Sequence, residues 1–246
     1  MPEDERPPPA TDLSGPDWVE LLSRGELELA GRLPWSSNYS FLAKVRLGRT
    51  EKLAVYKPGR GERPLRDYSA GLFRREVAAY ELSAALGLER VPETVLRGDG
   101  PHGEGSLQRF VEADFSEHYF TLIDEPAYRE QLREIAAFDL LANSGDRKGG
   151  HLILDSADHI WAIDNGLSFH SETKLRTVMW DFAGETLPSS VLAGCELVVG
   201  GVPVGVGELL SERECDALRE RAAALLLRQR FPEPPDGYRA YPWPLV

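Results

Sequence analysis

The sequence has 246 residues, 42% hydrophobic and 28% charged, which suits a globular chain able to bury a sizeable core in one large domain or two lobes. A net charge of −12 argues against nonspecific attraction to nucleic acid or to anionic lipid. No stretch approaches the about 18 consecutive apolar residues that a membrane-spanning helix needs, so no stable membrane association is expected. The two cysteines, Cys195 and Cys215, are too far apart for a CxxC motif and suit a reducing compartment. The acidic, Pro-rich N-terminus does not read as a signal peptide, and the expected location is cytoplasmic.

Residues 1–15, with Pro7, Pro8 and Pro9 among charges, read as a disordered leader. One or two helical turns follow at 17–23, ended by Gly25. Residues 26–33 (ELELAGRL), 39–47 (YSFLAKVRL) and 52–57 (KLAVYK) are strand candidates, the first two joined by the turn-rich PWSSN at 34–38. With short connections they predict an antiparallel meander. A helix is predicted over 72–86, its stripe formed by Phe73, Val77, Tyr80 and Ala84, with Gly87 to end it. Residues 91–96 and 106–111 add two strands. A second helix is predicted over 126–143, and HLILD (151–155) and IWAIDNG (160–166) form a hairpin around an Asp158-His159 turn. The Gly- and Val-rich stretch 187–207 gives no clear periodicity, 208–230 reads as one helix, and the tail from 232 onward, rich in proline, predicts an extended strap.

The segment NSGDRKGGHLILDSADHIWAIDNG carries the most chemistry. Asp146 and Asp164 flank the predicted hairpin and converge if both lie at the same edge. One carboxylate orienting an attacking hydroxyl and another holding a divalent metal is what phosphoryl transfer requires. Gly166 is expected to let the backbone turn so that Asp164 points out of the strand end. Lys57, at the end of AVYKP, is placed to hold phosphates if a carboxylate fixes it. Glu76 and Glu81 flank the helix stripe on opposite edges, and periodicity does not choose between them.

The order VYKP, REVAAY, GDRK, IDNG resembles an atypical protein-kinase-like fold. It is similar to the phosphatidylinositol 3-/4-kinase-like group and to the secretory-pathway casein kinases, and closest to an actinobacterial family labelled phosphatidylinositol 3-/4-kinase-related. The resemblance covers roughly residues 27–184. It implies an α+β, two-lobed fold: a small antiparallel sheet plus one helix over 16–111, then a mainly helical lobe over 112–246. It makes Lys57 the phosphate-binding lysine, favours Glu76 as its partner, and gives Asp146 the catalytic-loop position and Asp164 the metal-binding one. Gln108, Phe110 and Val111 fall in the hinge that would meet adenine, and Ser36, Ser37 and Asn38 in the phosphate-covering turn. ATP and Mg²⁺ or Mn²⁺ are the implied cofactors, with an unknown phosphoryl acceptor as partner and no nucleic acid.

Two departures stand out. His151 occupies the place where a kinase catalytic loop carries a second metal-binding Asn, which would favour Mn²⁺ or another transition metal. No GxGxxG is present. These motivate a rival reading, a pseudokinase that binds nucleotide or a partner without catalysis. A third reading groups Asp146, His151, Asp164 and His170 as a metal-dependent phosphohydrolase site. Phosphoinositide is the less expected acceptor, because only Lys174 and Arg176 follow Asp164 in the next dozen residues.

Overall fold

Ala43 and Val45 in one strand, and Ala54 and Tyr56 in the next, alternate along their segments and are all fully buried, which fixes which face of the meander is inside. The computed structural model describes residues 17–33, 39–236 and 240–246. Strands β1 (Glu26–Arg32), β2 (Phe41–Leu47) and β3 (Thr50–Pro58) pair antiparallel, with Ala43 opposite Ala54 and Phe41 opposite Tyr56. Gly48, at φ +61°, supplies the left-handed residue of the tight β2–β3 turn. β4 (Thr94–Arg97) and β5 (Gly105–Arg109) complete a five-stranded sheet in the order β1-β2-β3-β5-β4. Helix α1 (Trp18–Arg24), capped by Asp17, lays Leu21 and Leu22 on the buried face. The expected leader at 1–15 and the turn at 34–38, with Ser36, Ser37 and Asn38, lie outside the described residues.

Helix α2 (Leu72–Ala85) departs from its predicted stripe. Phe73 and Val77 are buried, but Tyr80 is half-buried and Ala84 exposed, while Ala78, Ala79 and Leu82 are fully enclosed. The single-stripe reading assumed one partner. In the structure α2 packs on β4 and β5 and also on α6 (Val204–Gly207), so its apolar surface wraps around more than one face.

The remainder is mainly helical: α3 (Tyr119–Leu122), α4 (Arg129–Ala142), α5 (Ser189–Gly200), α6 and α7 (Glu212–Arg228). β6 (Ala113–Asp114), β7 (Leu152–Asp155) and β8 (Ile160–Ala162) form a small antiparallel sheet. Most of the unassigned stretch 187–207 is helical, as α5 and α6, with Val191, Cys195 and Val198 of α5 buried at helical spacing. α7 starts later than its hydrophobic pattern implied. Ser211 and Glu214 form a capping box that leaves Leu209 and Leu210 in the preceding turn. The described part of the tail has no α-helix or strand: Thr177 N donates to Ala240 O at 3.1 Å and Gly149 N to Leu245 O at 2.7 Å, strapping it across the fold.

One buried ion pair joins the helical core to the loop after α4. Arg147 is 0% exposed, and its Nε and Nη2 meet the equally buried Asp139 carboxylate of α4 at 2.9–3.1 Å. Removing one partner of such a pair strands the other in a low-dielectric interior. Asp139→Ala is expected to lower stability by about 3–5 kcal/mol, read from urea unfolding midpoints. The double variant Asp139→Ala/Arg147→Met should recover part of that loss.

Candidate active site

Lys57, near the end of β3, points its ammonium at two carboxylates from different parts of the chain. Nζ lies 2.5 Å from Glu76 Oε1 on α2 and 2.8 Å from Asp164 Oδ1 beyond β8. Burial opposes its charge, but Asp164 and Glu76 together overcome that cost and hold its pKa above the ordinary lysine value. The same lysine holds the Asp164 carboxyl well below the usual carboxylate range, against burial.

The two glutamates left open by periodicity are now distinguished. Glu76 is 3% exposed and faces the site, its Oε2 accepting from Asn165 N at 2.9 Å. Glu81 sits against Gly205 of α6, and burial raises its pKa.

Asp164 itself adopts φ +58°, the left-handed region that a non-glycine residue enters at a cost of about 1–3 kcal/mol. That turn brings its carboxylate out of the β8 line. The expectation for Gly166 is therefore corrected: it is not among the residues with positive φ, and its role is room. A Cβ there would stand 3.3 Å from Glu76 Oε1 and 3.5 Å from Leu72 Cβ, tightening the approach of α2 to the Asp164 segment.

Asp146 and His151 complete the cluster. Asp146 Oδ2 lies 3.2 Å from Lys148 Nζ; burial raises the Asp146 pKa and Lys148 opposes the rise. His151 Nε2 is 3.4 Å from Asp164 Oδ2, and burial pushes its pKa down to about 4, so the imidazole is neutral at pH 7. His170 is engaged elsewhere. Its Nε2 donates to Asp67 O at 2.8 Å and its Nδ1 accepts from Glu172 N at 2.9 Å, so both ring nitrogens are already taken by backbone groups.

Two cavities meet at Ser40, Lys57 and Asp164. One, about 380 Å³, is bounded by Gln108 to Val111 and by the apolar side chains of Leu33, Val55, Phe115, Ile153 and Ile163. The other, about 270 Å³, holds Asp146 and Glu76. The predicted hinge residues thus border the first cavity, though two of their polar groups are already engaged: Phe110 N donates to Leu53 O at 3.1 Å and Gln108 Nε2 to Thr94 Oγ1 at 2.8 Å.

Among the described residues no group of three or more His, Cys, Asp and Glu side chains gathers as a metal cage. Asp164 and His151 offer two donors from adjacent positions. A divalent ion that shares its shell with phosphate oxygens and water needs only one or two protein ligands, so the donor set fits such an ion.

Sequence reasoning missed Arg147 and Lys148. Beyond Asp139, Arg147 donates to Ile163 O at 2.6 Å and to Asn165 Oδ1 at 2.5 Å, gripping the strand end on either side of Asp164. The basic pair directly after Asp146 was the available signal. A buried Arg and an exposed one look alike in sequence, so the signal does not reveal the role.

No protein-family profile matches the sequence. The chain is 35% identical over a 262-residue alignment to Protein Rv2133c of Mycobacterium tuberculosis, covering 91% of this chain and 94% of that protein. It belongs to the family of that mycobacterial protein. Among solved structures, hydra Fam20, determined with sugar, superposes with a TM-score of 0.55 at 14% identity over 85% of this chain and 87% of that one. The Helicobacter pylori proinflammatory kinase CtkA gives 0.48 at 13% identity, over 82% and 92%. The fold is a mixed α+β arrangement distantly resembling atypical protein-kinase-like folds. The finer affiliation suggested by the motifs goes beyond this likeness.

Lys57→Met leaves the Glu76 carboxylate buried without its cation. The variant is expected to lose about 3 kcal/mol in chemical denaturation. Adding Glu76→Gln should restore part of it, giving a coupling energy in a double-mutant cycle.

Proposed function

We propose that this chain is an ATP- and divalent-metal-dependent phosphotransferase that passes the γ-phosphoryl group to a hydroxyl. The observation that carries the reading is the convergence of Lys57, Glu76 and Asp164 where an apolar cavity beside the hinge meets a second cavity containing Asp146. The adenine would occupy the first cavity against Val55, Ile153 and Ile163, bordered by Gln108, Phe110 and Val111. Lys57, fixed by Glu76, would hold the phosphates.

Asp164 and His151 would hold Mg²⁺ or Mn²⁺, whose charge neutralises the phosphate oxygens. Asp146 would orient the acceptor hydroxyl and take its proton as the oxygen–Pγ bond forms and the bond to the β-phosphate bridging oxygen breaks. A carboxylate whose pKa is raised by burial is the better base for that step. The order of motifs supports an affinity with phosphatidylinositol 3-/4-kinase-related proteins, with residues 16–111 and 112–246 as the two lobes. Cytoplasm is the proposed location. Cys195 and Cys215 are unpaired, and among the described residues no helix is long and apolar enough to cross a membrane.

Thermal unfolding with ATP and with Mg²⁺ or Mn²⁺ tests the reading first. A ligand at a hundred times its Kd adds about 2.7 kcal/mol, visible as a raised Tm. The shift is expected to need nucleotide and metal together and to lose its metal-dependent part in Asp164→Asn. No shift with either metal would sink the proposal. Asp146→Asn should keep ATP affinity within about twofold while phosphoryl transfer falls by about 10²–10⁴, the range for a lost general base. Tight ATP binding with no transfer by the wild type would select a nucleotide-binding module instead.

A further inference from the structure

Asp146 borders only one of the two cavities that meet at Lys57, and it is not the one beside the hinge. Of the two, only the smaller cavity is lined by Asp146, so its walls bear on what the acceptor is.

The cavity is roofed by the connection between β3 and α2, residues 59–71, which is tied down at both ends. Glu62 accepts from Gly71 N and Phe73 N, each at 2.8 Å, closing the start of α2. At the other side the Tyr68 hydroxyl donates to Leu167 O at 3.1 Å, the same carbonyl that accepts from Gly145 N, next to Asp146. His170 Nε2 donates to Asp67 O, Lys174 Nζ stands 3.7 Å from Asp67 Oδ2, and the Tyr68 ring meets His170 edge-on at 5.1 Å. A Cβ on Gly145 would run into the Tyr68 hydroxyl, so the roof lies directly on the residue preceding Asp146. The backbone at Leu167 and Gly145, beside Asp146, is thus covered by this connection.

What remains is a space of about 270 Å³, at or just below the small end of ligand cavities. Tyr39, Leu65, Leu72, Phe73 and Leu167 make its sides mostly apolar. Its charged groups are four carboxylates, Glu62, Glu76, Asp146 and Asp164, against Lys57 and Arg63. Lys57 is already shared by two of those carboxylates. An anionic head group would enter a space where negative charge is in excess.

We infer that this cavity receives the phosphoryl acceptor, and that the acceptor is a small hydroxyl compound with an apolar body and no anionic group. The inference rests on the phosphotransferase reading. It makes Leu65 and Tyr39 determinants of acceptor choice and disfavours both phosphoinositides and protein acceptors.

The test uses 2-phenylethanol and myo-inositol 1-phosphate as probes, titrated separately by ligand-observed NMR in the presence of ADP and Mg²⁺. They are compared on wild type and on Leu65→Trp, which fills the cavity from a loop position 43% exposed and is checked for folding by circular dichroism. The wild type is expected to bind 2-phenylethanol, with Leu65→Trp at least tenfold weaker and ATP affinity changed less than twofold. Inositol 1-phosphate should not bind. Equal binding of 2-phenylethanol by both proteins, binding by neither, or preferential binding of the inositol phosphate would overturn the inference. So would phosphorylation of casein that Leu65→Trp leaves untouched. Absence of ATP binding to the wild type would be a separate result, removing the phosphotransferase reading and the acceptor role with it.

Discussion

The site depends on one buried guanidinium. Arg147, without solvent exposure, is bound by Asp139 of α4, by the Ile163 carbonyl and by the Asn165 side chain. Asn165 passes the constraint on through its backbone N–H to Glu76, and Glu76 to Lys57. A continuous polar chain thus runs from the helical core to the five-stranded sheet, with Asp164 held between its links. Asp139, Arg147, Asn165 and Glu76 are each buried, and each satisfies a neighbour that would otherwise be unpaired in the interior.

Helix α2 is positioned from the same side. Arg75, one residue from Glu76, donates to Ser168 O at 2.6 Å and pairs with Glu214, the capping residue of α7. Ala78, Ala79 and Leu82 sink into the large apolar cluster of the helical part. The carboxylate that fixes Lys57 is therefore placed by helices on the far side of the cavity as well as by the sheet. Groups held in this way need little reorganisation when a charged ligand arrives, which is the physical content of a preorganised site.

The sequence carried the elements whose packing is one-sided. The meander β1–β3 was legible from three strand-like segments with short connections, whose buried face Ala43, Val45, Ala54 and Tyr56 then fix, and the β7–β8 hairpin because its apolar runs flank a turn. α2 was legible as a helix but not in its facing, since two layers enclose it and no single stripe describes that. α5 escaped because Gly and Val lower helix propensity, and only burial at Val191, Cys195 and Val198 reveals what tertiary packing imposed. For the site, Lys57, Glu76, Asp146, His151 and Asp164 were all singled out, and the structure gathers them around one junction. What could not be read was the support. The partners of Arg147 are spread from residue 139 to 165, and nothing local distinguishes a structural arginine from a solvated one. Glycine was misread in a related way, because Asp164 takes the unusual φ while Gly166 provides clearance.

The charge balance around Lys57 gives the proposed metal requirement a physical origin. Glu76, Asp146 and Asp164 face Lys57 and Lys148, and burial keeps His151 neutral, so this inner group carries one more negative charge than positive. The proposed nucleotide would bring several further negative charges to the same few ångströms. At the reduced dielectric of a half-enclosed cavity, each unit charge at about 4 Å is worth roughly 4 kcal/mol, too much for two lysines already paired to absorb. A divalent ion beside Asp164 and His151 would reverse the sign of the balance where the phosphates must lie. On this reading nucleotide and metal bind as one unit, and the histidine, neutral because it is buried, leaves that unit a donor without adding a competing cation.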